Sequence, residues 1–273
     1  MASLKNLSVI AALSGQGLTV EESAALEVGM RRRSNEEGLT CWYWGKITGT
    51  DNDYLVVIGH GPGKGCVSKK FFFCTSNNLV LQEMPSLSSE FAGKAAAVQG
   101  RFKGDPSLLL DGDEEDEDKG DDEDEEGVVR PPKFSEMHRL AYTVNAIEND
   151  TAVVPRGCGV IDATLSIRPN AGFRGLSFAE AGSLDNYQHL RPSATADLEA
   201  AATGAKASDF LDRLSDDEPR GVWALRVDAA QKRSTIRSLK WPGYFFFHEL
   251  GSNNFAGVYT GNGLANGDLG FML

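Results

Sequence analysis

Four consecutive aromatic residues, Tyr244, Phe245, Phe246 and Phe247, constrain this chain more than any other feature. Their apolar groups occupy both phases of the two-residue strand repeat, which predicts a strand covered on both faces. Something must therefore pack over each side of it. Trp241-Pro242-Gly243 precedes the run and forces a turn, because proline fixes φ and lacks a donor while glycine accepts positive φ. Upstream, Trp223, Leu225 and Val227 alternate with Val222, Ala224, Arg226 and Asp228, as in a strand with one wet face. In residues 234–240, Ile236 and Leu239 lie three apart and cannot share a strand face, so a bulge or strand end is expected there. Downstream, Gly251-Ser252-Asn253-Asn254 reads as a turn and residues 255–260 as a strand. Gly261-Asn262-Gly263 carries an Asn-Gly pair suited to a tight primed turn. The apolar Phe271-Met272-Leu273 is expected to be docked.

Helices are predicted at the other end of the chain. Leu4, Leu7, Ile10 or Ala11, and Leu13 or Ser14 follow helical spacing that ends at Gly15 or Gly17. A second helix opens with Thr19 three residues before Glu22, a capping box, and buries Leu26 and Met30. Arg31, Arg32 and Arg33 are placed in or near its last turn, as a solvated helix end beside Glu36 and Glu37. Sheet follows over residues 40–81, with Trp42 and Trp44 on one face and Tyr43 on the other. The glycine-rich segment from Gly59 to Gly65 fails as a phosphate loop, since Ile58 stands where the first glycine is needed and Gly65 where Ser or Thr is needed. It reads as a hairpin tip.

The formal net charge of −12 comes from one segment. Residues 111–126 hold thirteen acidic side chains and one lysine, leaving 26 of the 39 acidic and 26 of the 27 basic residues elsewhere. The remainder is neutral and excludes a basic nucleic-acid footprint. Thirteen crowded carboxylates repel one another and predict a disordered, solvating acidic loop. It does not match a calcium loop, because Asp116 and Asp122 occupy the positions of the required glycine and closing glutamate. Cys41, Cys66, Cys74 and Cys158 have no zinc-type spacing and read as free thiols in a reducing compartment. The N-terminus does not read as a signal peptide, and no apolar stretch reaches the roughly 18 residues of a membrane span. A soluble intracellular protein is expected.

Between these regions, residues 134–149 read as a helix whose second half is ambiguous, 151–154 as a strand stopped by Pro155, and 158–167 as another strand. Ser177 and Glu180 form a box for a short helix over 177–184. Residues 194–207 could be helix or mobile link, and Phe210, Leu211 and Leu214 form a short amphipathic turn. No catalytic constellation is present: His60, His138, His189 and His248 are scattered singly, and no nucleophile elbow or zinc-protease pair occurs. Cys74 would need a histidine folded beside it to act as a nucleophile. No cofactor or metal is predicted.

Several segments carry a resemblance. Gly100-Arg101-Phe102-Lys103-Gly104-Asp105-Pro106-Ser107, Ala152-Val153-Val154-Pro155-Arg156-Gly157, Phe173-Arg174-Gly175-Leu176-Ser177, Arg237-Ser238-Leu239-Lys240-Trp241-Pro242-Gly243, and Val258-Tyr259-Thr260-Gly261-Asn262-Gly263 with the closing Asp268-Leu269-Gly270-Phe271-Met272-Leu273 resemble the radial spoke head protein nine family over nearly the whole chain. The resemblance implies a non-catalytic structural subunit of the radial spoke head, in the axoneme of motile cilia and flagella. It would bind spoke head proteins four and six, and the head would meet central pair projections and regulate dynein-driven motility. No membrane or nucleic-acid partner is implied. The expected fold class is α+β, with N-terminal helices packed on antiparallel β-sheet, a C-terminal β-meander module and the acidic loop. Its expected divisions are residues 1–110, the loop 111–130, and 131–273 integrated with the first. Trp241, Tyr244, Tyr259 and Phe271 are the candidate core or interface anchors. Two rivals belong to other classes: a chaperone or binding module for basic proteins acting through the acidic run, and a hydrolase or thiol enzyme.

Overall fold

A computed structural model of the chain describes residues 3–110, 133–193 and 209–272. The acidic run and residues 194–207, with their expected loop and helix or link, lie outside the described residues, as does Leu273.

The N-terminal helices are α1 (Leu7–Ser14), closed by a left-handed Gly15, and α2 (Val20–Glu37). Helix α2 starts at the predicted box, where the Glu22 amide donates to Thr19 Oγ1 and the Thr19 amide to Glu22 Oε2. It runs four residues past Arg33 before Gly38 closes it, so its last turn holds no basic residue. The arginine triplet instead pairs along the helix, Arg31 with Glu27 and Arg32 with Glu36, at 2.6 and 2.7 Å. Strands β1 (Thr40–Ile47), β2 (Tyr54–Gly61), β3 (Ser68–Thr75) and β4 (Asn78–Glu83) then form an antiparallel meander. Gly59 to Gly65 leads through the β2–β3 connection, as the hairpin reading expects.

Helix α3 (Ser89–Ala97) follows, and α4 (Glu136–Thr151) is continuous through its β-branched half. Thr151 closes that helix, and β5 (Val153–Pro155) starts two residues later than expected. Residues 158–167 form no single strand: β6 (Gly159–Ile161) and β7 (Ile167–Pro169) pair as a hairpin. Asp162 makes the turn, accepting from the Thr164 and Ser166 amides. Helix α5 (Phe178–Ala181) carries the predicted Ser177–Glu180 box, and β8 (Tyr187–His189) pairs with β5. Strands β9 (Trp223–Asp228), β10 (Arg233–Ser238), β11 (Tyr244–Glu249) and β12 (Phe255–Gly261) make the C-terminal meander. Strand β10 ends at Ser238, which resolves the Ile236–Leu239 spacing as a strand end.

Both meanders belong to one sheet of eight strands, ordered β4-β3-β2-β1-β12-β11-β10-β9. The sheet is mixed rather than purely antiparallel, because the first and last strands, β1 and β12, run parallel where the meanders meet, with Gly45 opposite Tyr259. Segments far apart in the chain thus lie side by side in one sheet. The aromatic run behaves as its phases require. Tyr244 and Phe246 enter a core with Trp44, Tyr54, Val56, Phe73 and the α4 residues Leu140, Val144 and Ile147. Phe245 and Phe247 enter the opposite core with Tyr43, Leu55, Phe72, Ile10 of α1 and Leu26 of α2. At Trp44 the β1–β2 register slips, Tyr43 facing Val57 and Gly45 facing Val56, and this bulge leaves Trp44 unpaired in the ladder.

Two turns show why glycine stands in the family-like segments. Gly243 has φ +105, and a Cβ there would lie 2.2 Å from the Thr260 carbonyl oxygen. Gly104 has φ +93, with Asn52 O 2.0 Å from the same added atom. Only glycine permits such approaches. The second turn is held by Glu136, 1% exposed, whose carboxylate accepts from Tyr54 Oη (2.7 Å) and the Lys103, Gly104 and Asp105 amides (2.8, 2.7 and 3.2 Å). Arg139 of α4 adds its guanidinium 4.2 Å from the centre of the Phe102 ring. The Asn262-Gly263 pair makes no hairpin; Asn262 Oδ1 accepts from the Leu264 amide, and the chain leaves the sheet.

Candidate interaction site

The bulged Trp44, the parallel junction and the end of α4 bring several aromatic rings together around one cavity. Tyr244 and Tyr259 face each other across β11 and β12, and the Trp44 ring lies 5.5 Å from that of Tyr259. These rings, with Trp42 and Phe255, floor a cavity of about 350 Å³ roofed by the end of α4, β5, the β6–β7 hairpin and Phe210. Its polar groups are mostly committed. Glu148 accepts from Trp44 Nε1 at 2.9 Å and from Lys69 Nζ at 2.7 Å. Tyr244 Oη accepts from the Val153 amide at 3.3 Å. His60 contributes a sealed Nε2 without a hydrogen-bond partner, and burial pushes its imidazole down to about 3.

Three of the four candidate anchors lie around this core. Trp241, Tyr244 and Tyr259 are buried, at 8%, 7% and 1% exposure, and Trp241 donates from Nε1 to Asp150 at 2.8 Å. Their rings serve the interior of this chain. Phe271 differs: in a closing helical turn, Leu269–Met272, it is 92% exposed, so the docked tail is corrected to an open one. Leu269 packs against the core, while Phe271 and Met272 beyond it remain exposed.

His60 and Cys158 both line the cavity, but burial pushes the imidazole down and the thiol up, so they form no base and nucleophile pair. His138 bonds within its own helix start to Ser135, and His248 faces the Ser252 carbonyl at 3.1 Å. Cys74 lies opposite Leu55 in the apolar core, where burial pushes its thiol up to about 12. Burial does the same to Cys158. A thiol so raised supplies almost no thiolate near neutral pH. All four cysteines are free, as expected, and no cluster of three metal-ligating groups occurs among the described residues. No helix among them is long and apolar enough to cross a membrane.

One polar array is built into the structure, and sequence spacing did not reveal it. His189, fully buried, places Nε2 2.9 Å from Asp217 Oδ2, and Trp223 Nε1 donates to the same oxygen at 2.7 Å. Burial pushes the Asp217 carboxyl up, but the bonds from His189 and Trp223 outweigh it and hold the group below its ordinary range. The array ties the first residue of β9 to β8.

Strand β9 is also one of the two edges of the sheet, and the edges differ. On β4, Arg33 of α2 donates to the Leu81 carbonyl at 2.7 Å, and α2 packs over the strand. On β9, the Leu239 amide donates to Val222 O, which fixes the alternation: Ala224, Arg226 and Asp228 bond inward to β10. Leu225 and Val227 direct their backbone groups outward, where no partner exists among the described residues.

No protein-family model matches the chain. Curated relatives do. A radial spoke head protein 9 homolog of Danio rerio is 34% identical over 271 residues, covering 97% of this chain and 96% of the relative. Those of Homo sapiens and Mus musculus are 30% and 31% identical over the same shares. Similarity of this extent, spanning both meanders and the segments that join them, shows that the chain belongs to the radial spoke head protein 9 family.

Proposed function

We propose that the chain is a non-catalytic structural subunit of the radial spoke head in the axoneme of motile cilia and flagella. It assembles with related spoke head proteins, including those numbered four and six, so that the head contacts the central pair apparatus and regulates dynein-driven motility. The observation carrying this reading is end-to-end similarity to spoke head proteins, at 97% coverage of the chain. The side-chain chemistry supports it. His138 and His248 are engaged locally, burial pushes the imidazole of His60 down and the thiols of Cys74 and Cys158 up, and most of the aromatic residues pack in the two cores. The test is to isolate native axonemal complexes through a tag on this chain and identify the copurifying proteins. Spoke head chains in fixed ratio are the expected result; a solitary monomer, or salt-sensitive capture of histones alone, would overturn the reading.

A further inference from the structure

We propose that β9 is a docking edge that receives an extended strand, alternating apolar and acidic residues, from another spoke head chain. The inference rests on the assembly reading above and adds the surface and the chemistry of its occupant. A strand edge with unpaired amides and carbonyls is a template for strand addition, and folded proteins ordinarily blunt such edges. The β4 edge is blunted by Arg33 at the Leu81 carbonyl. Strand β9 has no equivalent among the described residues, and its first residue is anchored by Trp223 Nε1 on Asp217.

The two faces of β9 specify the incoming side chains. Leu225 and Val227 pack half-buried against the α4-side core, and an added strand continues that surface with apolar residues. The opposite face carries Ala224 and Arg226, both exposed, with Thr235 opposite Arg226 and Arg237 opposite Ala224 on β10. Arg226 and Arg237 are diagonal neighbours, and neither has an ion pair among the described residues. Arg237 lies over the Phe245 ring, 5.6 Å from its centre. Two unpaired guanidinium groups beside an open edge favour carboxylates on that face of the partner. They also disfavour a second copy: antiparallel pairing of two β9 strands about a twofold axis through the sheet would bring both arginine pairs to one face.

Val227→Pro tests the backbone component directly. It removes an outward amide while leaving the inward bonds of Arg226 and Asp228, and proline is tolerated on an edge strand with that geometry. Arg226→Glu tests the charge and touches nothing buried. With spoke head proteins four and six coexpressed, each folded variant should recover less than one tenth of the partner recovered by the wild-type chain. In the wild-type complex the Leu225 and Val227 amides should exchange hydrogen at least tenfold more slowly than in the free chain. Normal partner recovery by folded Val227→Pro, or equal exchange of those amides in both states, overturns the proposal. If Val227→Pro does not fold, Arg226→Glu and the exchange rates decide. A dimer of the isolated chain that Val227→Pro abolishes would assign the edge to a second copy and overturn the partner named here. Failure of the wild-type chain to recover any spoke head protein overturns the functional reading, and is distinguished by appearing without any substitution.

Discussion

The two meanders of the central sheet each contribute four strands, but among the described residues only the N-terminal one has a helix side chain bonded to a backbone carbonyl of its outer strand, Arg33 on Leu81. Its faces lie under α2 and α4, its outer edge is capped by Arg33, and its loop at residues 103–105 is locked onto Glu136. The C-terminal meander is equally aromatic inside but ends in the uncapped β9, with Arg226 and Arg237 on an exposed face. Strand propensity does not explain this difference, since both halves are rich in β-branched and aromatic residues. What separates them is the placement of covering helices. A half that is finished within one chain serves stability, whereas a half left open at an edge serves assembly.

If the N-terminal half is the finished one, its polar lock should be the most costly to remove. Glu136→Ala would strand the Tyr54 hydroxyl and three amides, and a loss of about 5 kcal/mol is expected, the upper end for uncoupling a buried charged network. Urea unfolding measures it. A loss under about 2 kcal/mol would show that water replaces the carboxylate and that the loop is not locked.

Truncations in the two halves sharpen the contrast. Phe72 is fully buried beneath Arg33 and Lys70, and Phe72→Ala is expected to cost about 4 kcal/mol. Phe245, on the same side of the sheet, is covered by the exposed Arg237, whose stem can settle into the space left behind. Phe245→Ala should then cost about 2 kcal/mol. Equal losses would mean that the C-terminal face is as tightly covered as the N-terminal one.

Acid should act through desolvated histidines in both halves, His60 half-buried and His248 fully buried. Burial lowers His60 on β2 to about 3 and lowers His248 on β11, from an ordinary 6.5. A depressed folded value means that the unfolded chain takes up protons first. The stability these groups confer is therefore complete above pH 6.5 and lost as pH falls toward the folded values. Each contributes a slope of up to about 1.4 kcal/mol per pH unit in that window. His60→Gln should flatten the pH dependence of the unfolding midpoint between 6 and 4, more than His248→Gln if the N-terminal half is the drier.

Much of this architecture was legible in the sequence because it rests on local rules. The Thr19–Glu22 and Ser177–Glu180 boxes, the both-faces burial of residues 244–247 and the end of β10 follow from spacing alone. Long-range pairing was not legible. Nothing near Thr40 or Phe255 announces that β1 and β12 lie side by side, so the parallel junction and the Trp44–Tyr259 contact escape a one-dimensional reading. Helix α3 escaped for want of a strong apolar stripe, and the His189–Asp217–Trp223 array because its members are separated in the chain. The tail was misjudged for another reason: Phe271 and Met272 are apolar, but apolar character does not supply a surface to dock on.

The smallest effect on stability is expected from the most conspicuous stretch of sequence. Residues 111–126 hold the net charge, yet the chain entering and leaving them is already joined: the Leu110 amide donates to Phe134 O at 3.1 Å, and Leu109 bridges Ser135. Deleting 111–126 leaves that closure in place with a shorter connection, so stability should change by no more than about 1 kcal/mol, in the favourable direction. The excision borders Leu110, whose amide is bonded to Phe134 just ahead of α4, and removes no residue of β9. Partner recovery should therefore equal that of the full chain, while the repulsion or attraction that thirteen carboxylates exert over a Debye length of about 8 Å is removed from the head surface. Spokes should assemble and beating should change. Heads that fail to assemble after this deletion would transfer the binding role from the uncapped strand to the acidic run, and the contrast between a closed and an open half would lose its functional meaning.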